Sequence, residues 1–509
     1  MKVVNLMNFV RRFDPRLENS ENVLFASAQR RMEMLQRFDV ENTLLLQYDA
    51  LIDPKYIELF RKYNSSKYEY GLWLEVVQEL CEDAGYEWRG RSSWDWHVVP
   101  GFSMAYTSEQ REKLLDTAMA RFREIFGYYP KTVASWLIDS HSVCYLSEKY
   151  KVEAFAICRD QVNTDAYTLV GGYFNQAYFP SKLNCFTPAQ TAEQTVNTPM
   201  FRLLGPDPVH NYDNDKYIIS DERRHHLNVY TLEPAYPWSC EEEFFDWMYR
   251  CYFCNEDLGF SYAQMGQETP FYKDSVHEGL EKQLKHLIDN YPEVEFQKMC
   301  DTGKAFKEKY ENVTPATCVW ADKDWNRGED VQSLYYDCKN YTANLFRCEG
   351  KVFIRSMYLF DERVPEHYLD RPCETWDALY ENLPLCETRL WNGNEGLVLD
   401  RNGTRISVEK IGEGTLAASW GDKKVIFSEN GIKLFGIDEI TFDTTSSTAQ
   451  ITVGENGINY TYKDTGYALV TSGRSVLCGK TIMLESDKGE IDLSFKRGSK
   501  NEHIQKYSK

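Results

Sequence analysis

The sequence of 509 residues contains no long apolar run and has fewer basic than acidic residues. No stretch of about 18 consecutive apolar residues occurs, so no membrane-spanning helix is expected. The 58 Lys and Arg are outnumbered by 78 Asp and Glu, which gives a formal net charge of −20. Because nucleic acids and anionic membranes bind basic surfaces, we expect neither as a partner. The N-terminal residues lack an apolar segment with a cleavage site, so we expect a cytoplasmic protein.

Several chemical signatures are also missing. The 14 cysteines are scattered, which in a chain of this length indicates reduced thiols. Cys251 and Cys254 form one CxxC, but neither a second pair nor a nearby histidine completes a zinc site. No GxGxxG or GxxxxGK[ST] loop follows a predicted strand, and no GxSxG elbow occurs. We therefore predict no cofactor and no bound metal, and we do not expect serine hydrolase chemistry.

Short apolar runs alternate with amphipathic stretches from residue 1 to about 330, as in repeated βα units. The stretch from Thr107 to Pro130 shows the helical half of the pattern, with Thr107 as N-cap and Gln110 three residues later. Residues 278–289 repeat the amphipathic pattern. The apolar runs predict eight strands, at 2–9, 42–48, 69–76, 132–138, 153–158, 200–204, 228–232 and 260–265.

The predicted fold class is therefore α/β, with a TIM-like (β/α)8 barrel followed by a C-terminal all-β sandwich. Beyond about residue 380, short alternating segments are separated by NG, RNG and GDKK turns, which is typical of antiparallel sheets. We predict a catalytic barrel at 1–330, connecting strands at 331–380 and the sandwich at 381–509. The sandwich could bind carbohydrate, but we expect it to brace the barrel or a homodimer interface.

Polar residues follow nearly every predicted strand. The βα loops at the C-terminal ends of the strands build the open face of such a barrel, so these residues should meet in one pocket. Catalytic candidates are Asp14, Asp49, Glu75, Asp139, His141 and Glu233. Candidate substrate-binding residues are Arg12, Gln47, Arg91, Trp94, Trp96, His97, Arg159, Asp160, Arg202 and Gln267.

Two mechanisms suit a pocket rich in Asp, Glu, His, Arg and Trp. A glycoside hydrolase needs a proton donor and a carboxylate base or nucleophile on opposite faces of the sugar. A metal-dependent carbohydrate deacetylase needs one Asp and two His on a divalent ion, plus an Asp base. His97 and His141 could supply the histidines, although no HxxxH occurs in the first half. A non-catalytic carbohydrate-binding protein on the same fold is the third alternative.

Five long stretches of the sequence resemble a family of proteins from gut anaerobes that are described as glycoside hydrolase- or deacetylase-like. The stretches are NFVRRFDPR, TLLLQYDALIDP, WRGRSSWDWH, FGYYPKTVASWLIDSH and GGYFNQAYFPS, and the resemblance covers roughly residues 1–330. It implies a (β/α) barrel, a C-terminal β-sandwich and a carbohydrate substrate, and it leaves the reaction open.

The chain is also similar, by the position of residues in the barrel, to the inverting sialidases of glycoside hydrolase family 156. That similarity implies Asp14 as the base, His141 as the acid and Arg202 as a ligand of the substrate carboxylate. A histidine can act as an acid near neutral pH if a carboxylate such as Asp139 holds it protonated. The resulting hypothesis is an exo-acting, inverting hydrolase that removes a terminal, acidic sugar of the sialic acid type.

Structural alternatives remain for each of these residues. His141 could be a hydrogen-bonded histidine at a strand end or a metal ligand. Asp14 could cap a helix or pair with Arg12 or Arg16. Arg202 could form a buried ion pair, and the WDWH cluster could be buried packing.

Overall fold

The computed structural model describes residues 1–210, 230–326, 328–391, 395–445, 447–454, 456–486 and 488–498, without the side chains of 163 and 164. The N-terminal part is a mixed α/β fold. Its first strand, KVVNLMNFV, is buried along almost its whole length, as expected for a parallel strand covered on both faces. In chain order the strands of this part are β1 (Lys2–Val10), β2 (Asn42–Leu46), β3 (Tyr68–Trp73), β4 (Thr132–Ala134), β5 (Ala154–Ile157), β6 (Gln161–Thr164), β7 (Tyr167–Val170), β8 (Ala177–Tyr178), β9 (Met200–Arg202), β10 (Ser261–Met265) and β11 (Glu295–Phe296).

These strands form a barrel-like sheet. Its neighbours run β10-β1-β2-β3-β4-β5-β9 and are all parallel, while β8 is antiparallel to β9 and β11 pairs with β1. Seven of the eight strand predictions therefore correspond to a strand of this sheet. The parallel arrangement gathers the C-terminal ends of the strands at one end of the barrel, where the loops that follow them meet.

The predicted strand at 228–232 is not observed as a strand. Residues 228 and 229 lie outside the described residues, and in the described remainder Thr231 forms an isolated bridge with Pro206. Around this bridge the N–H of Asp207 donates to Tyr230 O at 3.0 Å and the N–H of Leu232 donates to Gly205 O at 3.0 Å, while the N–H of Leu204 donates to the side chain of Gln264 instead. The sheet is thus nearly closed, with a gap between β9 and β10 where the (β/α)8 prediction placed a strand.

Helices cover the outside of the sheet. The predicted capping box is confirmed: Thr107 caps the sixth helix together with Gln110, and Gly127 ends it with φ 82°. No helix in the described ranges is both long and apolar enough to cross a membrane. The helices are α1 (Ser20–Phe38), α2 (Tyr48–Ile52), α3 (Pro54–Lys62), α4 (Gln78–Asp83), α5 (Val98–Gly101), α6 (Ser108–Phe126), α7 (Ser140–Tyr145), α8 (Glu242–Phe253), α9 (Asp274–Asn290) and α10 (Met299–Tyr310).

The C-terminal part is all-β, as predicted. One antiparallel sheet has the order β12-β13-β14-β15-β18-β23-β28-β27, with β17 also paired to β15, and the other has the order β19-β20-β21-β22-β29-β26-β25-β24. The strands are β12 (Thr317–Ala321), β13 (Val331–Asp337), β14 (Tyr341–Cys348), β15 (Lys351–Leu359), β16 (Ala378–Glu381), β17 (Leu383–Glu387), β18 (Leu397–Asp400), β19 (Ser407–Gly412), β20 (Thr415–Trp420), β21 (Lys423–Ser428), β22 (Gly431–Phe435), β23 (Glu439–Asp443), β24 (Gln450–Gly454), β25 (Gly457–Tyr462), β26 (Thr465–Thr471), β27 (Arg474–Cys478), β28 (Thr481–Glu485) and β29 (Glu490–Arg497), where those strand names follow chain order.

Two apolar cores hold these layers together. Leu334 and Leu345 of the first sheet share a buried cluster with Phe427 and Leu469 of the second, as a sandwich requires. Other side chains of the first sheet belong to the barrel core, and Tyr335 stacks on Phe174 with ring centroids 3.7 Å apart. The first sheet therefore lies between the barrel and the second sheet. The predicted domain boundaries at 330 and 380 remain predictions.

A small third sheet connects the two parts of the chain. Strand β16 pairs in parallel with β7, which pairs in antiparallel fashion with β6. The β6–β7 hairpin follows β5 in the barrel, so a strand from the predicted connecting segment extends a barrel loop. This arrangement brings the segment before β16 close to the open end of the barrel.

Candidate active site

A cavity of about 330 Å³ opens at the C-terminal end of the barrel strands. Its walls come from the loops that follow different strands: Asp14 follows β1, Glu75 follows β3, Trp136 follows β4 and Glu268 follows β10. These side chains meet because parallel strands place their carboxyl ends at one edge of the sheet. The cavity size is at the lower end of the range for ligand pockets.

Arg11 forms ion pairs with two carboxylates that line this cavity. Its Nη1 is 3.4 Å from Asp14 Oδ2 and its Nη2 is 2.6 Å from Glu268 Oε2. The guanidinium also lies over the ring of Trp94, 3.9 Å from the centroid, and the side chain is almost wholly buried. A buried guanidinium between two carboxylates compensates their charge where water cannot.

The carboxylate of Asp14 accepts hydrogen bonds from two arginines. Arg16 donates to Asp14 Oδ1 from Nε at 2.9 Å and from its backbone N–H at 3.0 Å, and to Oδ2 from Nη2 at 2.7 Å. Burial acts to raise the pKa of Asp14, but the hydrogen bonds from Arg16 and the charge of Arg11 outweigh burial, so the pKa is lowered. With four donors around it, this carboxylate has little capacity left to accept a proton.

Glu233 and Glu268 form an adjacent carboxyl pair. The backbone N–H of Glu268 donates to Glu233 Oε1 at 3.3 Å. Burial and then the charge of Glu268 raise the pKa of Glu233 well above its ordinary value. Burial also raises the pKa of Glu268, but the charges of Arg11 and then Arg16 act in the opposite direction. Because Glu268 carries the ion pair with Arg11, it is the member of the pair that is better placed to hold the negative charge.

Glu75 lies across the cavity from this pair, three strand positions away in the sheet. It accepts hydrogen bonds from the side chain of Gln47 and from Trp94 Nε1, the latter at 3.1 Å. Burial raises the pKa of Glu75 to about 7, with Arg11 acting in the opposite direction and Glu268 adding to the rise. A carboxyl group with this pKa can release and recover a proton near neutral pH.

Aromatic rings form much of the remaining wall. Trp94, Trp96, Trp136, Tyr167 and Tyr236 all line the cavity. Flat aromatic faces provide apolar contact beside the polar carboxyl groups. Trp94 and Trp96 were predicted to shape such a site, whereas Trp136 follows β4 and was not singled out.

His141 lies outside this cavity, which corrects the predicted pairing of His141 with Asp14. His141 occupies the first turn of α7, and its Nε2 is 3.1 Å from Glu112 Oε1 of α6 on the protein surface. Asp139 does not contact it. Instead Asp139 caps α7 by accepting from the Ser142 N–H at 2.9 Å, and it forms a buried ion pair with Arg111 at 2.8 Å.

The other predicted site residues divide into three groups. Gln47, Asp49, Arg12 and Gln267 support the loops beneath or beside the cavity. Asp49 Oδ2 accepts from the Arg12 N–H at 3.0 Å, the Arg12 guanidinium binds Glu79, and burial raises the pKa of Asp49 to about 7. Gln267 accepts from Arg31 at 2.7 Å and donates to Pro234 O at 2.6 Å.

The predicted arginine for a substrate carboxylate is engaged within the protein. Arg202 is fully buried and donates to Cys158 O at 3.0 Å, Tyr173 O at 2.6 Å and Asp160 Oδ1 at 2.6 Å. Asp160 also accepts from the Gly172 N–H at 3.0 Å, and Arg159 Nη1 donates to the backbone oxygen of Asp160 at 2.8 Å. This group therefore braces the loop after β5.

Arg91 and His97 lie beside the cavity rim. Asp95 holds both: Arg91 donates to it at 2.7 and 2.8 Å, and His97 Nδ1 is 2.8 Å from Asp95 Oδ1. The same loop contributes Trp94 and Trp96 to the cavity wall.

Some cavity residues were not assigned a catalytic or binding role from the sequence. Arg11, Arg16 and Glu268 stand at strand ends, so the rule that selected Asp14 and Glu233 also applied to them. Asp165 and Tyr167 belong to the β6–β7 hairpin, for which the apolar pattern gave no signal. Arg16 joins this hairpin to the loop after β1 by an ion pair with Asp165 at 3.4 Å.

The residues that the structure describes contain no group of three or more His, Cys, Asp or Glu side chains arranged to hold a metal ion. His97 contacts Asp95 and Arg91, while His141 contacts Glu112. The two histidines named for the deacetylase alternative thus have different surroundings.

The fold and site define a mixed α/β protein with a carboxyl-lined, aromatic-walled cavity at the open end of a nearly closed barrel. Residues 76–319 match the model of a family described as "Domain of Unknown Function with solved-structure structure (DUF3863)". No curated protein matches the chain.

Solved structures of other proteins are structurally similar to this chain. A "putative glycoside hydrolase/deacetylase" from Parabacteroides distasonis is similar with a TM-score of 0.54 and 13% identity, over 75% of this chain and 90% of the other. A "putative polysaccharide deacetylase" from Mycobacterium smegmatis has a TM-score of 0.37 and 13% identity, over 60% of this chain and 90% of the other. The first likeness shows a shared fold. The similarity to the inverting sialidases stays a prediction.

Proposed function

We propose that this protein is a carbohydrate-active hydrolase that cleaves a glycosidic bond in the barrel cavity. The observation that carries the proposal is a set of carboxyl groups with opposite tendencies to ionise in one aromatic-walled cavity. Glycoside hydrolysis needs this combination, because one carboxyl must deliver a proton while another acts as base or nucleophile. The fold likeness to the Parabacteroides protein is in agreement with a carbohydrate substrate.

Glu75 is the proposed proton donor. Its raised pKa of about 7 keeps a large fraction of the side chain protonated at neutral pH. Hydrogen bonds from Gln47 and Trp94 fix its orientation. A fixed, protonated carboxyl can protonate the oxygen of the departing sugar as the bond breaks.

Glu268 is the proposed ionised partner. Burial raises the pKa of Glu268, and the ion pair with Arg11 at 2.6 Å opposes that rise and favours the charged form. The pKa of Glu233 beside it is raised well above its ordinary value, so Glu233 is the weaker competitor for the charge. Asp14 was the base of the sequence hypothesis and does line the cavity. Its four donors from Arg11 and Arg16 make it the poorer base, so we assign it to holding the two arginines in place.

The substrate is proposed to be a neutral terminal sugar, removed in the exo manner. A cavity of about 330 Å³ suits a single sugar unit better than an internal segment of a chain. An acidic sugar of the sialic acid type would require an arginine available for its carboxylate. The cavity arginines Arg11 and Arg16 are instead bound to Asp14, Asp165 and Glu268.

The anomeric outcome depends on the separation of the two acting carboxyl groups. Separations of about 5–5.5 Å accompany retention, and about 6.5–9.5 Å accompany inversion. The sequence hypothesis of inversion is retained as a proposal. Proton NMR of the first product released by the active enzyme distinguishes the two outcomes.

The test is hydrolysis of a panel of neutral and acidic 4-nitrophenyl glycosides. We expect release of 4-nitrophenol from at least one neutral member in the presence of EDTA. Glu75→Gln should lower kcat/KM by about 10²–10⁴-fold for the matching unsubstituted phenyl glycoside, whose leaving oxygen needs a proton, and by less for the 4-nitrophenyl glycoside. Glu268→Gln should lose activity with every leaving group and recover part of it with azide. Glu112→Gln, on the exposed side of α6, is the matched control and should retain activity.

Other outcomes contradict the proposal in recognisable ways. Acetate release that EDTA abolishes would favour the deacetylase alternative. Saturable sugar binding without turnover would favour a non-catalytic binding protein. Hydrolysis of sialosides alone would contradict the neutral substrate while leaving the glycosidase assignment intact.

A further inference from the structure

The cavity rim continues outwards along a row of rings. Trp96 lines the cavity, the ring of His97 is 5.2 Å from it, and the ring of Trp376 is 5.0 Å from His97. Trp376 comes from the segment before β16, far from the other two in sequence. The row therefore joins the loop after β3 to the C-terminal half of the chain at the mouth of the cavity.

Trp376 is exposed although its position is fixed. It exposes 48% of its surface, which is unusual for the largest apolar side chain. Its backbone oxygen accepts from the Val98 N–H at 2.9 Å, and the nearby Cys373 N–H donates to Met104 O at 2.8 Å. Main-chain hydrogen bonds thus hold the backbone that carries the ring, while much of the ring surface faces solvent. An exposed aromatic ring on a rigid backbone is a typical binding surface.

Polar groups accompany this ring. The Arg91 guanidinium lies 5.7 Å from the Trp376 ring and 4.7 Å from the Trp96 ring. Asp95 holds Arg91 through Nε and Nη2. Within the described part of the chain, Arg91 Nη1 and His97 Nε2 make no hydrogen bond. Hydrogen-bonding groups therefore remain beside an exposed aromatic face.

The Trp96 ring is less accessible than the Trp376 ring. The guanidinium groups of Arg16 and Arg91 lie over Trp96, with centroid distances of 5.4 and 4.7 Å, whereas Arg91 lies 5.7 Å from the Trp376 centroid. Trp376 is the most exposed ring of the row. A flat apolar face flanked by hydrogen-bonding groups matches a pyranose, which has apolar C–H faces and hydroxyl groups around its edge.

We propose that Trp376, Arg91 and His97 form a second carbohydrate subsite outside the cavity. It binds a neutral pyranose of the departing part of an oligosaccharide whose terminal sugar occupies the cavity. This inference rests on the proposed function for the direction of the substrate. Its binding part is independent of catalysis, because the row of rings exists whether or not Glu75 donates a proton.

The first test measures binding without turnover. Cellohexaose, xylohexaose, maltohexaose and chitohexaose are titrated by calorimetry into the Glu75→Gln protein, with and without Trp376→Ala. We expect at least one hexasaccharide to bind, and Trp376→Ala to weaken its Kd about tenfold, a typical loss for an aromatic contact at a binding site. Trp376→Phe keeps a flat ring and should recover most of the affinity.

Tyr128→Ala is the matched control. Tyr128 is 44% exposed and precedes β4, so it lies at the opposite end of the barrel from the cavity. Its removal should leave hexasaccharide binding unchanged. An equal loss in Tyr128→Ala and Trp376→Ala, an unchanged Kd in Trp376→Ala, or no binding of any hexasaccharide would overturn the subsite.

The second test uses the active enzyme. Trp376→Ala should reduce kcat/KM for the hexasaccharide that binds about tenfold more than it reduces kcat/KM for a 4-nitrophenyl glycoside. Equal reductions would overturn the assignment to the departing part of the substrate. Trp376-dependent binding without hydrolysis of any glycoside would support the subsite and contradict the proposed function. Hydrolysis of aryl glycosides without hexasaccharide binding would support the proposed function and contradict the subsite.

Discussion

At the scale of single residues, Arg11 compensates the charges of two buried carboxylates. Arg11→Ala should lower the free energy of unfolding by about 3–5 kcal/mol, because Glu268 would remain buried without its ion-pair partner and Asp14 would keep only Arg16. Urea unfolding followed by tryptophan fluorescence measures the loss. Arg12→Ala is the matched control: its ion pair with Glu79 is partly exposed, so the loss should be about 1 kcal/mol or less. Similar losses in both variants would contradict the central role of Arg11.

Glu75 makes stability depend on pH. Burial raises its pKa in the folded protein from 4.5 to about 7, so the folded state favours the protonated form. That contribution is fully present below pH 4.5 and is lost as pH rises through about 7. From pH 5 to pH 8, the free energy of unfolding of Glu75→Gln should therefore rise by on the order of 2 kcal/mol relative to that of the wild type. Urea unfolding at both pH values measures this, and a difference independent of pH would contradict the burial of Glu75.

A substitution of His141 distinguishes the two assignments of the catalytic acid, His141 from the sequence and Glu75 from the structure. His141→Phe should retain glycosidase activity and change the free energy of unfolding by about 1 kcal/mol or less, because its contact with Glu112 is partly exposed. The measurements are kcat/KM and urea unfolding beside Glu75→Gln. A loss of activity in His141→Phe as large as that in Glu75→Gln would restore histidine as the acid.

At the scale of elements, the N-cap residues of α6 and α7 should contribute different amounts to the free energy of unfolding. Thr107 caps α6 with an exposed hydroxyl, whereas Asp139 caps α7 while paired with the buried Arg111. Thr107→Ala should cost about 1 kcal/mol, the usual value of a cap. Asp139→Ala should cost about 3–5 kcal/mol, because it leaves the Arg111 charge buried and unpaired. Thermal or urea unfolding that gives equal losses would contradict this distinction.

The predictability of the elements follows from where their stabilising contacts lie. The α6 boundaries were predictable because the capping box and Gly127 act within the helix itself. The β6–β7 hairpin was not, because its partner β16 is about 200 residues further along the chain. The predicted strand at 228–232 had a suitable apolar pattern, but its described residues form only an isolated bridge, between Thr231 and Pro206.

At the scale of the whole molecule, Glu366 joins the C-terminal half to the barrel. It accepts from the Ser140 N–H at 3.0 Å and from Ser140 Oγ at 2.6 Å, next to the start of α7. Burial and the nearby charge of Asp139 raise the pKa of Glu366 to about 8. This contact, the pairing of β16 with β7 and the shared core should make the halves unfold together.

We therefore expect a single unfolding transition that is lowered by a change at this joint. Glu366→Ala should reduce the free energy of unfolding by about 1–3 kcal/mol, the cost of leaving buried donors without an acceptor. Glu374→Ala, at an exposed position of the same segment, should remain within about 0.5 kcal/mol of the wild type. Far-UV circular dichroism and fluorescence should give coincident urea curves. Two separated transitions would show that the halves are independent.

The amino-acid sequence by itself determined the α/β pattern, most of the barrel strands, the all-β C-terminal part and the end of the barrel at which polar residues gather. These features depend on local periodicity and on the chemistry of caps and turns. Only the tertiary structure decided which strand-end residues enter the cavity. Asp139 and His141 lie in the loop and helix start after β4, as Glu75 lies in the loop after β3. Arg111 and Glu112 of α6 hold Asp139 and His141 elsewhere, whereas Arg11 and Trp94 retain the carboxyl groups around the cavity. A side chain's direction is set by the charges and rings that surround it, and those come from distant parts of the chain.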